Sequence, residues 1–320
     1  MAIENLNSKS ELFPTAQRYL SREQHNFSFS SSHPVALVVN PGELVHLQTW
    51  DCYRGAITNP ENALLPIDSS LINPATGPIF VTGAQPGDTL AVTLHEIIPG
   101  PRGVARTYPG EGQLHATLEK PFAQFFDVKD GLVTMNDRVS FKASPMLGVI
   151  GLAPGNGEIS TMPAGKHGGN LDNNKNTTGS TIHLPVQHEG GLLAIGDMHA
   201  AMGDGEICGT GIEIAGDVLL STALIKGIGT EYPVTETANS WITYGVAPVD
   251  DLYGAMQTAC EEAAGLLVSQ WGFSAEEAFI FLSVQGNLGI AQAVHPAKGT
   301  VIAKMEVPKI SACPKPFKVA

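Results

Sequence analysis

The sequence has few charged side chains and no excess of basic residues. Charged residues make up 15% of the 320 positions, and 18 Lys and Arg against 31 Asp and Glu give a net charge of −13. Such a charge repels phosphate groups, so nucleic acid and anionic membranes are excluded as expected partners. A hydrophobic content of 43% nevertheless provides enough apolar surface for a folded core.

Long apolar runs and paired cysteines are also missing. No run approaches the ~18 residues that a membrane-spanning helix needs, and the N-terminal stretch MAIENLNSKSELF lacks the apolar segment of a secretory signal. The cysteines at positions 52, 208, 260 and 313 are widely spaced, without a C-x-x-C pair. This spacing favours reduced thiols over disulfides or a zinc ribbon, and we therefore predict a cytoplasmic protein.

Turn-forming residues are abundant: the chain has 35 Gly and 22 Pro. They separate short apolar segments, and residues 44–50 alternate between two faces as a half-buried strand does. Strands at this spacing are typical of a β-sandwich or barrel. We predict a mainly β fold, a jelly-roll-like β-sandwich with a smaller C-terminal α+β part.

We divide the chain into three segments. Residues 1–34 are polar and are interpreted as an N-terminal arm, or a short helix with a loop. Residues 35–225 form the predicted β-sandwich region, which carries an active-site loop at 153–180 and a hairpin at 191–214. Residues 226–320 form the α+β part.

The α+β part contains the helical signals. Apolar residues of the segment 252–271 recur at three- and four-residue spacing, and Gly272 is placed to end this helix. Ser274 and Glu277 have the spacing of a capping box that opens a second helix. Residues 301–307 are predicted to form a closing strand.

Three polar clusters fall between residues 167 and 206. On a strand, Asp197 and His199 would share a face, an arrangement that suits two ligands of one metal or a carboxylate that orients a histidine base. The segment 167–172 carries two glycines that expose its backbone to a ligand but lacks the ending of a phosphate-binding loop. The turn at 203–205 would return Glu206 towards the first cluster.

Each cluster alone could be a solvated surface pair or an ordinary turn. Their co-occurrence in a weakly charged chain favours an active site, because packed carboxylates need a positive charge between them and a divalent cation supplies one. Cys208, with Lys166 as a partner, is an alternative nucleophile, although an isolated cysteine is usually a small packing residue. Cys52 ends a strand and could point into a cleft.

Two central blocks, TMPAGKHGGNLDNN and LPVQHEGGLLAIGDMHAAMGDGEICGTGIEIAGDV, resemble the acetamidase/formamidase family, as do NPATGP and GAQPGD nearer the N-terminus. The resemblance covers roughly residues 35–310. It implies a β-sandwich enzyme that hydrolyses short linear amides, such as formamide and acetamide, to ammonia and the carboxylic acid. It also implies a divalent metal and a homo-oligomer, a dimer or a larger assembly.

The family's polar signature falls on His167, Asn170, Asp172, Asp197, His199, Asp204 and Glu206. We interpret Asp172, Asp197 and His199 as metal ligands. Their mixed nitrogen and oxygen atoms favour Zn²⁺, with Ca²⁺ as the alternative. Such an ion would activate water and polarise the amide carbonyl.

The remaining positions are interpreted as catalytic or substrate-binding. We expect Glu206 to transfer the proton from water to the departing amine, with His167 as a further catalytic residue. Asn170, or a backbone N–H of Gly168 or Gly169, would stabilise the oxyanion. Both glycines, together with Asp204, would bind substrate. The alternatives are a Cys208-dependent covalent amidase and a non-catalytic β-module that binds a metal or small ligand.

Overall fold

A computed structural model describes residues 11–227 and 230–311. Its strands are β1 (Arg18–Leu20), β2 (His25–Asn26), β3 (Ser28–Ser30), β4 (Leu37–Val39), β5 (Leu44–Thr49), β6 (Ala75–Val81), β7 (Thr89–Pro99), β8 (Arg102–Thr107), β9 (Phe122–Lys129), β10 (Leu132–Asn136), β11 (Val139–Lys142), β12 (Met146–Gly151), β13 (Glu158–Ser160), β14 (Ala164–Gly165), β15 (Gly168–Asn170), β16 (Thr181–Pro185), β17 (Leu193–His199), β18 (Gly216–Ile225), β19 (Val234–Glu236), β20 (Ser240–Pro248), β21 (Asn287–Gln292) and β22 (Thr300–Pro308). The helices are α1 (Leu252–Trp271) and α2 (Ala275–Gln285), with a 3-10 turn at Ser69–Leu71. The predicted mainly β class is confirmed.

Two large sheets dominate the fold. A nine-stranded sheet has the order β1-β5-β18-β7-β16-β19-β20-β22-β21, and a seven-stranded sheet has the order β14-β15-β12-β17-β6-β2, with β4 on β6. Their apolar faces pack together as a sandwich, since side chains of both sheets share one core. From the first sheet this core contains Val45, Leu47, Leu90, Leu94, Val218 and Leu220, and from the second Ile79, Val81, Leu147, Ile150 and Ile195.

Strand β5 shows why the alternating pattern forms a sandwich layer. Val45, Leu47 and Thr49 are completely buried, as expected for residues on one face of a strand. His46 points the other way, where its ring lies 5.0 Å from that of Phe13. The alternation predicted for residues 44–50 therefore places the strand's apolar face on the core.

The helical predictions for the C-terminal part are also confirmed. Asp251 accepts a hydrogen bond from Gly254 N and begins α1, and Gly272 ends it in a left-handed conformation (φ 70°). Ser274 and Glu277 form the capping box of α2. The helices cover a face of the nine-stranded sheet. In this sheet, β19 to β22 lie next to one another and extend the layer that strands from the N-terminal part begin.

Three segments differ in detail from the sequence-based expectation. Residues 206–215, expected to be strand, form an irregular loop, because Glu206 and Gly209 adopt positive φ and cannot continue a regular ladder. The arm contributes β1, β2 and β3 to the sheets instead of a helix. The loop 153–180 contains β13, β14 and β15. Cys313 and the end of the arm at residues 1–10 lie outside the described residues.

Within the described ranges, neither α1 nor α2 is long and apolar enough to cross a membrane.

Candidate metal centre and active-site cavity

Strand β17 supplies the first two polar side chains of the site. Asp197 Oδ1 lies 3.4 Å from His199 Nε2, so the alternating pair stands side by side as the strand pattern predicts. Both side chains are buried. Asp172, which follows β15, and Glu206, in the loop after β17, approach the same imidazole. One ligand atom from each of Asp172, His199 and Glu206 lies within 4.8 Å of the others.

Glu213 is a member of the cluster that the sequence analysis did not identify. Its Oε1 lies 3.1 Å from His199 Nε2 and accepts a hydrogen bond from Gly211 N at 3.0 Å. The available signal was a lone carboxylate between two apolar residues, Ile212 and Ile214. We refer to Asp172, Asp197, His199, Glu206 and Glu213 together as the acidic centre.

Cys52 and Gln292 complete the wall of the acidic centre. Cys52 forms a second group of potential ligands with Asp197 and Glu213, again within 4.8 Å. Gln292, on the edge strand β21, donates a hydrogen bond from Nε2 to Asp172 Oδ2. The sequence analysis identified Cys52 as a strand end that could point into a cleft. The residues around Gln292 gave no comparable signal.

The backbone is strained at three carboxylates of the centre. Asp172, Asp197 and Glu206 have φ values of 38°, 56° and 46°. Residues with side chains rarely adopt this region, and each such conformation costs about 1–3 kcal/mol unless the surroundings impose it. The strain falls on three residues whose carboxylates converge, as backbone strain often does at active and ligand-binding sites.

The acidic centre occupies space that is free because two neighbouring positions are glycines without side chains. A Cβ on Gly148 in β12 would overlap the carboxylates of Asp172 and Asp197, and a Cβ on Gly211 would lie 2.6 Å from the ring of His199. Any larger residue at either position would push the ligand atoms apart. The compactness of the centre therefore depends on these two absent side chains.

Burial and mutual repulsion make the carboxylates hard to ionise together. Burial, reinforced by the charge of Asp197, raises the pKa of Asp172 to about 7. Burial is also the main cause of the raised pKa values of Glu206 and Glu213. Although burial opposes a charged imidazole, Glu213 and Asp197 outweigh it and raise the pKa of His199 well above its usual value.

Several atoms of the centre have no hydrogen-bond partner among the described residues. They are Asp172 Oδ1, Asp197 Oδ1, Glu213 Oε2 and both ring nitrogens of His199, of which Nε2 has the ion-pair contacts with Asp197 and Glu213 but no hydrogen bond. Buried polar atoms are normally satisfied, so this concentration is unusual. A divalent cation would meet the unpaired lone pairs and offset the like charges at once, and the mixed nitrogen and oxygen donors fit such an ion.

A cavity of about 530 Å³ is lined by the four carboxylates of the acidic centre, whereas the completely buried His199 does not line it. Its other lining residues include Cys52, Tyr53, Asn73, Arg106, Tyr108, Glu111, Met162, Pro163, Asn170, Cys208, Gln292, His295 and Lys298. Asn170 thus lies in the same cavity wall as the four carboxylates. Its Oδ1 accepts a hydrogen bond from Asn73 Nδ2 at 3.2 Å, which fixes the orientation of its amide.

The other predicted site residues lie away from this cavity. His167 is buried against Phe29, with ring centroids 5.2 Å apart, and burial lowers its pKa to about 4. Gly168 and Gly169 belong to β15, whose backbone pairs with β12. The Asp204 carboxylate accepts a hydrogen bond from Lys304 Nζ at 2.5 Å. None of these four residues lines the described cavity.

The sequence profile of the Acetamidase/Formamidase family matches residues 16–159 and 155–309. The chain belongs to this family. Among solved structures, a predicted acetamidase/formamidase from Thermoanaerobacter tengcongensis shares 38% identity and a TM-score of 0.86, covering 91% of this chain and 95% of its own. An acetamidase from Bacillus halodurans shares 36% identity and the same TM-score, over 91% and 97%.

A more distant relative is an acetamidase from Mycolicibacterium smegmatis. It is 26% identical over 88% of this chain and 91% of its own length. The similarity to this family member therefore spans nearly the whole of both proteins, as it does for the two solved structures.

Proposed function

We propose that this family member hydrolyses short linear amides, of the formamide and acetamide type, to ammonia and the carboxylic acid. Family membership over nearly the whole chain supports the reaction. The observation that carries the chemistry is the buried acidic centre, in which carboxylates with unpaired oxygen atoms line a cavity beside the buried His199.

We propose that Asp172, Asp197 and His199 hold a divalent cation, with Zn²⁺ suited to their mixed donors. Glu213, 3.1 Å from the imidazole, is placed to orient His199 or to act as a further ligand. When bound, such an ion supplies polarisation of the amide carbonyl and a lowered pKa of water.

Glu206 is the proposed general acid–base. Its Oε1 lies 3.9 Å from His199 Nε2, and the side chain is buried at the cavity wall. Burial raises the pKa of Glu206, and a carboxyl group that holds a proton more readily than usual can accept one from attacking water and then return it. The amine leaves poorly as an anion, so protonation of its nitrogen by Glu206 allows the C–N bond to break.

Asn170 is the proposed oxyanion donor. Because its Oδ1 accepts the hydrogen bond from Asn73, its Nδ2 is directed elsewhere and is available to donate. A preorganised amide N–H of this kind stabilises the negative charge that develops on the carbonyl oxygen. The sequence analysis assigned substrate binding to Gly168, Gly169 and Asp204, and catalysis to His167. None of the four lines the cavity, so the lining does not support these roles.

A covalent mechanism is the second candidate, because Cys208 lines the same cavity. Its Sγ contacts the Thr210 carbonyl oxygen at 3.5 Å. A nucleophilic cysteine needs an adjacent base or cation, and the hydrogen bonds of the described residues give Cys208 neither. The water-based mechanism is therefore favoured.

The test is ammonia release from a panel of short amides by protein that has been stripped with a chelator and reloaded. We expect activity with Zn²⁺ or another divalent ion and loss of activity after stripping. Chelator-resistant turnover that a thiol reagent abolishes would favour Cys208. Full metal occupancy without ammonia release from any amide would favour a non-catalytic binding module.

We also propose a homo-oligomer in the cytoplasm. Helix α2 exposes Phe279, Ile280 and Val284 to solvent, and a large apolar patch of this kind is typical of subunit interfaces. The cysteines at 52, 208 and 260 are unpaired thiols, as expected in a reducing compartment. Light scattering coupled to size-exclusion chromatography would measure the subunit number.

A further inference from the structure

Arg106 lines the cavity in a fixed position. It belongs to β8, and its guanidinium carbon lies 4.3 Å from the ring centroid of Tyr53 and 5.2 Å from that of Tyr108. Its Nη1 donates a hydrogen bond to Ala63 O at 3.1 Å. Contacts with two aromatic rings and a carbonyl restrict the side chain, so the charge is preorganised at the cavity wall.

The Arg106 guanidinium forms no ion pair within the described part of the chain, and its Nε is buried without a hydrogen-bond partner. The other positive side chain of the lining, Lys298, is neutralised by Glu111 at 3.1 Å. Leaving a charged donor unsatisfied is unfavourable, and a planar guanidinium fork matches a carboxylate. Arg106 thus provides a positive charge without an ion-pair partner, to which an anionic group of a ligand can bind.

Tyr53 connects this position to the acidic centre. Its ring centroid lies 4.3 Å from the Arg106 guanidinium carbon, and the preceding residue, Cys52, has its Sγ within 4.8 Å of ligand atoms of Asp197 and Glu213. Tyr53 is therefore close both to the positive side chain of Arg106 and to residues of the acidic centre. A substrate in the cavity could contact both positions.

The size of the cavity points to an extended substrate. About 530 Å³ falls within the range of ~300–1,000 Å³ that is usual for drug-sized ligands. A water molecule occupies about 30 Å³ of liquid, and formamide has only a few non-hydrogen atoms. The smallest amides would leave most of the lining, Arg106 included, without contact.

We propose that the cavity takes an amide whose acyl chain ends in a carboxylate, the half-amide of a dicarboxylic acid, and that Arg106 binds this carboxylate. The inference rests on the proposed amide hydrolysis at the acidic centre. The amide group lies at the centre, and the carboxylate pairs with the guanidinium in the side wall. A neutral acyl chain leaves the guanidinium without an ion-pair partner, so the site favours the charged substrate.

The experiment compares ammonia release from succinamate with that from levulinamide, in which a methyl ketone replaces the carboxylate. We expect a kcat/KM for succinamate roughly 10- to 100-fold higher, the worth of a charge-assisted hydrogen bond. Arg106→Met should remove this preference mainly through KM, and Arg106→Lys should restore only part of it. Circular dichroism verifies that both variants are folded.

Arg102→Met is the matched control. Arg102 is on the same strand and also lies over an aromatic ring, 4.6 Å from the centroid of Phe125. It does not line the cavity, so the preference for succinamate should persist. Equal kcat/KM for the two substrates in the wild-type enzyme, or an unchanged preference in folded Arg106→Met, would overturn the inference while leaving amide hydrolysis intact. Absence of ammonia release from both substrates and from acetamide would instead overturn the proposed function.

Discussion

Glu213 Oε1 lies 3.1 Å from His199 Nε2, although an irregular loop separates the two residues in sequence. The same carboxylate accepts a hydrogen bond from Gly211 N, so the loop fixes Glu213 before any ligand binds. The imidazole also lies 3.4 Å from Asp197 Oδ1. His199, Asp197 and Glu213 are therefore already close together, on one side of the position proposed for the cation.

Glu213→Gln should weaken metal binding by roughly 10- to 100-fold, the usual effect of losing a group that orients or completes a ligand set. Gln preserves the shape of the side chain but removes its charge. Titration with Zn²⁺ against a competing chelator measures the affinity. Glu111→Gln, a change in the same cavity whose partner is Lys298, is the control. Unaltered affinity in Glu213→Gln would make Glu213 a purely structural residue.

Asp197→Asn should have opposite effects on the metal-free and metal-loaded protein. Without metal, the substitution relieves repulsion with Asp172, which contributes to the raised pKa of that residue, but it also removes one of the two carboxylates that stabilise charged His199. Because Glu213 still lies 3.1 Å from the imidazole, we expect the relieved repulsion to dominate and Tm to rise. With metal, the lost ligand should reduce occupancy and the ligand-dependent gain in stability. Thermal unfolding with and without Zn²⁺ tests both signs. A lower Tm in both states would show that Asp197 acts through structure alone.

Glu206→Gln should retain metal and lower kcat by roughly 10²–10⁴-fold, the usual contribution of a general acid–base. The amide keeps the size of the side chain but cannot accept the proton. Metal content and kcat are to be measured on the same preparation. Loss of metal would make Glu206 a ligand, consistent with its proximity to Asp172 and His199, and an unchanged kcat would exclude it from proton transfer.

Metal binding should strengthen as pH rises through neutrality and should release protons. In the metal-free protein burial raises the pKa of Asp172 to about 7, so below that pH the proton competes with the cation for this carboxylate. Calorimetry in two buffers of different ionisation enthalpy counts the protons released. Asp172→Asn should reduce the count, and a count independent of pH would contradict the expectation.

Cys208→Ala should retain most of the activity. The thiol lines the cavity, its hydrogen bonds among the described residues are to Thr210, and an unactivated cysteine is a poor nucleophile. Ammonia release by the variant is the measurement, with Cys260→Ala on α1 as a control outside the site. Complete inactivation with normal fold and metal content would establish the covalent mechanism.

Local features of the fold were predictable from the sequence. Helix α1 runs over the predicted residues 252–271 and ends at Gly272, because amphipathic spacing and caps act within a few residues along the chain. The alternation around Val45 placed β5 on the core, and the two-residue spacing brought Asp197 beside His199 even though Asp197 itself adopts a positive φ. In each case the interacting groups are near neighbours in sequence.

The sequence by itself thus determined the β-rich class, the helices and the paired Asp197 and His199. Tertiary structure alone decided that Glu213 and Gln292 would join them and that Asp204 would instead pair with Lys304. The physical reason is that irregular loops with positive φ have no period from which side-chain direction can be inferred. Their course is set by packing between strands far apart in sequence, and the same packing provides the burial that changes the charges of the site.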